Sequence, residues 1–224
     1  MTTTSSLIAQ ITAILGPAIG TNYSAASAAN DAFEGYTFAL VVRAARAAGA
    51  TVTFEDNDGN ATTSLLFRTS PGDIFSKKRA YTHALIELPD CPALEAHIGV
   101  KVSGKSKVLH ECDVAVIERH EARICRTSRV HPRAGKVPIA IECKFYASTL
   151  QLGLARGYLG LAEELTKKNR LLVTNTTSET AAKMITYHDA GWEFDLSSPS
   201  SPKAADLEAK IKNVFRNYIA TNKR

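Results

Sequence analysis

Two short segments place charged side chains inside apolar sequence, where a charge is costly to bury. The segment 110–117 contains Asp113, and the apolar segment 137–146 contains Glu142 and Lys144. In a β-strand successive side chains point to opposite faces, so Glu142 and Lys144 share one face of their segment. A buried carboxylate and a buried ammonium each need a partner, which is the other charge, a metal ion or a substrate.

Carboxylates and a lysine on neighbouring strands suit the hydrolysis of a phosphodiester bond. Mg²⁺ prefers oxygen ligands, and proteins usually hold it with one or two carboxylates together with phosphate and water. The bound ion lowers the pKa of its water and neutralises charge on the phosphate, and a nearby ammonium stabilises the charge that develops during reaction. The alternative is a pair of edge strands with a surface Glu–Lys pair, because the bare pattern also arises by chance.

The pattern Asp113 followed by Glu142-Cys143-Lys144 on the next strand resembles the active-site motif of the PD-(D/E)XK nuclease superfamily, which has the restriction-endonuclease-like fold. The resemblance implies that Asp113 and Glu142 bind Mg²⁺ or Mn²⁺ and that the backbone carbonyl of Cys143 completes the metal's ligands. It also implies that Lys144 positions and activates the attacking water. Glu111 shares a face with Asp113 and is a further candidate ligand.

Two predicted helices supply accessory candidates. An Ala-rich helix over 24–48 carries Glu34 on an apolar face, and a helix over 148–168 carries Gln151 one turn from its start. Several families of the superfamily have a Glu on the first core helix and a Gln on the later helix beside the metal. The resemblance therefore implies accessory catalytic roles for Glu34 and Gln151. The alternative for Glu34 is a position at the edge of the apolar face.

The segment 118–136, between the two proposed active-site strands, is the most basic part of the chain. Basic side chains of this density favour contact with the phosphates that flank a cleavage site. Arg156, on the helix after Lys144, is another candidate for phosphate contact. The alternative is a solvated loop or hairpin. The candidates within the segment are Arg119, Arg123, Arg126, Arg129, Arg133 and Lys136.

Two hairpins are predicted from turn residues. Asp58-Gly59 indicates a hairpin between strands over 51–54 and 64–68. A second hairpin joins strands over 94–102 and 107–117, and a loop of two or four residues would place His97 and His110 on the face opposite Asp113. The two histidines are therefore expected to be packed or hydrogen-bonded, and a bulge would reverse this register.

The order of the predicted elements indicates an α/β fold of the α+β type, with a central mixed sheet flanked by helices. The resemblance covers about 23–196 and implies an αβββαβ restriction-endonuclease-like core. The 224 residues contain no Pro- or Gly-rich linker in the middle of the chain, which favours a single domain over 1–224. An amphipathic helix over about 204–222 is expected to pack on the domain or to contact a second copy.

The composition is that of an ordinary globular protein, with a formal net charge of +5 that slightly favours a nucleic-acid partner. The four cysteines show neither zinc-ligand spacing nor a disulfide framework, so a reducing compartment is expected. The first residues lack the basic region of a signal peptide, and no apolar run approaches the roughly 20 residues that a membrane span requires. The sequence thus predicts a cytoplasmic protein without membrane contact.

The predicted function is that of a metal-dependent endonuclease that hydrolyses DNA phosphodiester bonds in restriction, phage defence or repair. A homodimer or an accessory specificity or effector partner is expected, because no second domain for base recognition is evident. Two alternatives remain open. One is a catalytically silent nuclease fold that serves as a binding or assembly module, and the other is an RNA-directed or effector-activated nuclease.

Overall fold

The computed structural model describes residues 3–165, 169–196 and 202–223. Within these ranges the helices are α1 (Thr4–Leu15), α2 (Ala29–Ala47), α3 (Arg119–Ser128), α4 (Leu152–Glu164), α5 (Glu179–Tyr187) and α6 (Pro202–Asn222). The strands are β1 (Gly20–Thr21), β2 (Thr51–Asp56), β3 (Ser64–Leu65), β4 (Thr82–Glu87), β5 (Leu94–Ser103), β6 (Leu109–Glu118), β7 (Ile139–Lys144), β8 (Arg170–Thr174) and β9 (Gly191–Glu193). The end of the predicted helix over 148–168 lies outside the described residues.

Seven strands form one mixed sheet in the order β2-β4-β5-β6-β7-β8-β9. Neighbouring strands from β2 to β7 are antiparallel, whereas β7, β8 and β9 are parallel to one another. Parallel neighbours need a crossover, and α4 and α5 provide the two crossovers at this side of the sheet. The predicted class, a mixed sheet in an α/β protein, is confirmed.

Helices pack on both faces of the sheet. On one face α2 lies between the sheet and helices α1 and α6, and this position explains why its side chains from Ala32 to Ala45 are almost all buried. On the other face, apolar side chains of α3 pack over β5 and β6, while α4 and α5 pack over β8. In the described part of the chain, no helix combines the length and the apolar content that crossing a membrane requires.

Strands β5 and β6 change faces at Gly99 and Asp113. On β6, Val114 packs on the α2 side of the sheet, but Cys112 packs on the opposite side. Residues two apart in a regular strand share a face, so the backbone turns over at this point. On β5, Gly99 has a φ of +59°, a conformation that favours glycine. Asp113 therefore lies between a residue that packs on the α2 side of the sheet and a residue that packs on the opposite side.

The structure differs from both predicted hairpins. The turn after β2 is present, with Asp56 Oδ1 accepting the N–H groups of Asp58 and Asn60 at 2.9 Å each. A short antiparallel contact follows this turn, with a bridge between Glu55 and Ala61. However, β2 pairs with β4 and not with β3, so the predicted pairing of 51–54 with 64–68 is wrong. The second hairpin is present with a five-residue loop between β5 and β6, and its register places His97 opposite Ala115.

Helix α4 contains a glycine that the packing does not require. Apart from its chain neighbours and the helix's own backbone, no heavy atom of the described residues lies within 4 Å of the position that a β-carbon on Gly157 would occupy. We expect Gly157→Ala to raise the free energy of unfolding by roughly 0.5–1 kcal/mol, because glycine loses more backbone entropy than alanine in a helix. Urea denaturation of both proteins would measure the change.

A glycine in α2 provides the matched control for this substitution. A β-carbon on Gly35 would lie 2.3 Å from Cε2 of Tyr23, whose ring packs across the helix. Gly35→Ala should therefore destabilise the fold, as overpacked sites typically do by about 1–3 kcal/mol. Destabilisation by Gly157→Ala would show that α4 makes closer contacts in solution.

Candidate active site

Asp113 lies where the pairing between β6 and β7 stops. The antiparallel ladder runs from Val116–Ile139 to Val114–Ile141, so the next pair would be Asp113 and Glu142. Here the side chain of Asp113 replaces a backbone partner, because its Oδ2 accepts the N–H of Cys143 at 2.7 Å. This hydrogen bond fixes the Asp113 carboxylate against the strand that carries Glu142 and Lys144.

Both carboxylates meet the ammonium of Lys144. The Lys144 Nζ lies 2.5 Å from Oε1 of Glu142 and 3.7 Å from Oδ2 of Asp113. The three side chains are 15–25% exposed, so they are mostly buried but still open to solvent. The predicted alternation holds along β7, where Ile139, Ile141 and Cys143 pack into the core on the α2 side. The ammonium of Lys144 thus pairs with both carboxylates.

Glu34 approaches the same group from α2. Burial, followed by the nearby charge of Asp113, raises the pKa of Glu34 to about 8. Burial and the charge of Glu142 raise the pKa of Asp113 to about 6. Although burial opposes the charged form of Lys144, Glu142 and Asp113 raise the pKa of this ammonium above its ordinary value. The group thus contains more carboxylate charge than one lysine neutralises.

Two other predicted metal or accessory residues lie at the margin of this group. Glu111 is exposed on β6 and makes no ion pair within the described residues, although its charge contributes slightly to the raised pKa of Asp113. Gln151 is the residue that precedes α4 and is exposed, so it does not lie one turn inside the helix as predicted. No hydrogen bond among the described residues connects Gln151 to Asp113, Glu142 or Lys144.

Tyr23 and Asn175 adjoin the site and were not predicted from the sequence. The Tyr23 hydroxyl is buried without a hydrogen-bond partner among the described residues, and burial together with the charge of Glu34 raises its pKa. Asn175 bridges the backbone that leaves β7, since its Oδ1 accepts the N–H of Tyr146 at 2.7 Å and its Nδ2 donates to the carbonyl of Tyr146 at 2.9 Å. This bridge helps to hold the end of β7 beside β8.

Four side chains of the basic segment have internal partners. Arg119 pairs with Glu55 at 3.0 Å, and Arg126 pairs with Glu95. The other two pairs are Arg133 with Glu121 at 2.6 Å and Lys136 with Glu118 at 2.9 Å. These pairs hold helix α3, which the sequence analysis did not predict, and the turn after it against the domain.

The basic segment also lies away from the carboxylates. Helix α3 follows Glu118 at the end of β6, five residues beyond Asp113, which corresponds to about 17 Å along a strand. Arg123, Arg129 and Arg156 are exposed and have no ion pair within the described residues. These three remain the candidates whose charge is available to a phosphate backbone.

The two histidines discussed with the hairpin have other partners. The Nε2 atom of His97 lies 3.0 Å from Oε2 of Glu95, and that of His110 lies 3.4 Å from Oε2 of Glu164. Both are hydrogen-bonded, as expected, but the register that led to this expectation differs from the observed one. Neither histidine has a hydrogen bond or ion pair with Asp113 in the described part of the chain.

The site has a donor set that fits a hard divalent cation. Asp113 and Glu142 each pair with the Lys144 ammonium, and Glu34 lies near enough for the charge of Asp113 to act on it. Oxygen is the donor that Mg²⁺ and Mn²⁺ favour. Burial is the main cause of the raised pKa values of Asp113 and Glu34, and the charges of the neighbouring carboxylates add to it. Comparisons with protein-family models, curated proteins and solved structures give no match for this chain.

Proposed function

We propose that this protein is a Mg²⁺- or Mn²⁺-dependent endonuclease that hydrolyses DNA phosphodiester bonds. The observation that carries the proposal is the convergence of Asp113 and Glu142 on the Lys144 ammonium, at the point where β6 and β7 separate. Asp113 and Glu142, with the Cys143 carbonyl as a further candidate, would hold the metal.

The order of the elements around this site supports the proposal. The helix α2 is followed by the consecutive strands β5, β6 and β7, then by α4 and β8. This order is similar to the αβββαβ core that the resemblance to the PD-(D/E)XK superfamily implies, with β2, β3 and β4 added between α2 and β5 and α3 added between β6 and β7. A match of element order alone indicates a fold, whereas the assignment of activity depends on the site residues.

The metal and the site side chains would have different roles in hydrolysis. The metal, when bound, would neutralise phosphate charge and make its bound water more acidic. Lys144 keeps a proton at Nζ and would stabilise negative charge on the attacking water or the phosphate oxygens. Glu34, whose pKa of about 8 lies close to neutrality, is suited to accept a proton at its carboxylate.

Cleavage assays with the purified chain test this function. Supercoiled plasmid, linear DNA and RNA are incubated with Mg²⁺, with Mn²⁺ or with excess chelator. We expect nicked and linear plasmid only when a metal is present, and products whose 5′ ends are phosphorylated. Removal of the metal should abolish the activity and its return should restore the activity. The RNA arm decides between the DNA substrate and an RNA substrate.

One observation favours the alternative of a silent binding or assembly module. Internal ion pairs occupy four of the six basic candidates in the segment 118–136, which reduces the charge that this segment offers to nucleic acid. Complete absence of cleavage with either metal, on all three substrates, would support this alternative and contradict the nuclease proposal. A binding assay with the same DNA then shows whether the module still contacts nucleic acid, and lower affinity at higher salt would identify phosphate contacts.

A further inference from the structure

A second cluster of chemically capable side chains lies on β4 and β5, on the face that α3 covers. His83 of β4 and His97 of β5 adjoin the Ala84–Ala96 pair, and their rings stack with centroids 4.8 Å apart. Glu95 precedes His97 by two residues and so points to the same face. All three are at most 2% exposed. Local sequence does not reveal this cluster, because His83 reaches the other two residues only through the register between β4 and β5.

The three side chains direct their ligand atoms to one place. Oε2 of Glu95 lies 3.0 Å from Nε2 of His97 and 3.5 Å from Nε2 of His83, and all three ligand atoms lie within 4.8 Å of one another. Tetrahedral Zn²⁺ with bonds of 2.0–2.2 Å requires ligand atoms about 3.3 Å apart. The two distances from Glu95 are close to this separation, and the separation of the two Nε2 atoms is at most 4.8 Å, so the imidazoles would move closer together around a bound ion.

The guanidinium of Arg126 already contacts Glu95 and His83. Nη2 of Arg126 pairs with Oε2 of Glu95 and lies 3.5 Å from Nε2 of His83. The Arg126 side chain is 21% exposed and borders an open cleft of about 480 Å³, so it can move outward without crossing the core. Glu55 Oε2, at 3.4 Å from His83 Nε2, remains paired through its other oxygen with Arg119.

The Nδ1 atoms of the two histidines should lower the affinity of this site for a metal ion. The Nδ1 atoms of His83 and His97 are buried without a hydrogen-bond partner among the described residues. A metal at Nε2 requires the ring proton on Nδ1, and metal-binding histidines usually donate that proton to a carboxylate or carbonyl. We therefore expect an affinity below that of a structural zinc site.

We propose that His83, Glu95 and His97 form a binding site for a transition-metal cation of the Zn²⁺ type, and that Arg126 competes with the metal for Glu95. Two imidazoles and one carboxylate favour Zn²⁺ or Co²⁺, whereas Mg²⁺ prefers oxygen ligands alone. Three protein ligands leave a fourth position for water. This proposal does not depend on nuclease activity at Asp113, because it uses different residues and a different class of metal.

Zn²⁺ binding to the full chain, measured by competition with a chromogenic chelator in excess Mg²⁺, tests the proposal. We expect one Zn²⁺ per chain outside the carboxylate site, with affinity at least tenfold lower in His97→Gln and at least tenfold higher in Arg126→Gln. His120→Gln, which changes an exposed histidine of α3, is the matched control and should leave the affinity unchanged.

Co²⁺ spectroscopy keeps the proposal testable if His97→Gln fails to fold. The wild-type chain and Arg126→Gln should give the intense visible absorption of tetrahedral Co²⁺, and Zn²⁺ should displace it. Absence of Zn²⁺ binding in both proteins would overturn the proposal, as would binding that persists unchanged in His83→Gln and His97→Gln. The gain of affinity in Arg126→Gln separates a metal site from a polar cluster that only anchors α3.

Discussion

Lys144→Met should lower metal-dependent DNA cleavage by about 10²–10³-fold, because the variant lacks the ammonium that contacts both carboxylates. The methionine keeps a similar length and apolar stem, so the change removes the charge and little of the packing. Initial rates of plasmid nicking at saturating Mg²⁺ measure the effect, and thermal unfolding of the same samples shows whether the fold is retained.

Lys183→Met is the matched control for this variant. Lys183 lies on the exposed surface of α5, where it pairs with Glu179 at 2.6 Å, and it should not affect cleavage. Asp113→Asn keeps the shape that accepts the Cys143 N–H but removes a metal-binding charge, so we expect a similar loss of activity together with weaker dependence on Mg²⁺. Cleavage within about threefold of wild type in both site variants, against the 10²–10³-fold loss expected here, would refute the assignment.

Glu34→Gln should stabilise the metal-free protein at a pH near 8. The pKa of Glu34 is raised in the folded state from the ordinary value of 4.5 to about 8, which means that folding disfavours its charged form. Below pH 4.5 Glu34 is protonated in both states and does not lower the free energy of unfolding. That free energy then decreases as the pH rises through 8. We expect a gain of about 1–3 kcal/mol, which is reduced from the full shift because Glu34 is partly exposed.

Urea denaturation in excess chelator, at a pH near 4.5 and at a pH near 8, measures this difference. The variant and the wild type should be similar at the lower pH and should separate at the higher pH. Added Mg²⁺ should reduce the advantage of glutamine, since a bound cation stabilises the wild-type carboxylate. Glu179→Gln, on the exposed surface of α5, should show no such dependence. A difference that does not change with pH would contradict the assigned position of Glu34.

The geometry of β7 was predictable because strand alternation depends only on neighbouring residues. Glu142 and Lys144 therefore fall on one face, as expected, whatever the rest of the chain does. The approach of Glu34 depends instead on contacts between elements far apart in sequence. It requires α2 to pack against the end of β7, where Phe33 meets Phe145 with ring centroids 5.4 Å apart. The superfamily resemblance suggested this approach, whereas helical periodicity alone did not.

The positions of the histidines could not be derived from local sequence. A change of one residue in the length of a hairpin loop reverses every face assignment along the strands. The loop after β5 has five residues, and the backbone conformation at Gly99 changes faces again within the strand. These two irregularities decide which face His97 and His110 share with Asp113, whereas the contact of His97 with His83 depends on the register between β4 and β5.

The basic segment shows a limit of reading charge from composition. A count of arginines predicts a positive surface, but it does not show which carboxylates lie nearby. Glu95 precedes Arg126 by 31 residues and reaches it only because β5 and α3 pack together. The segment is thus partly an anchor for a helix, and the electrostatic surface that nucleic acid would meet is smaller than the sequence indicates.

The ammonium between Asp113 and Glu142 also bears on how the proposed nuclease matures. Because Lys144 supplies a counter-ion from within the chain, part of the repulsion between these carboxylates is relieved before any metal arrives. We therefore expect the chain to fold without the proposed metal, which would bind in a separate, later step. Loss of the ion would then leave the protein folded but inactive, and its activity would recover when the ion is supplied.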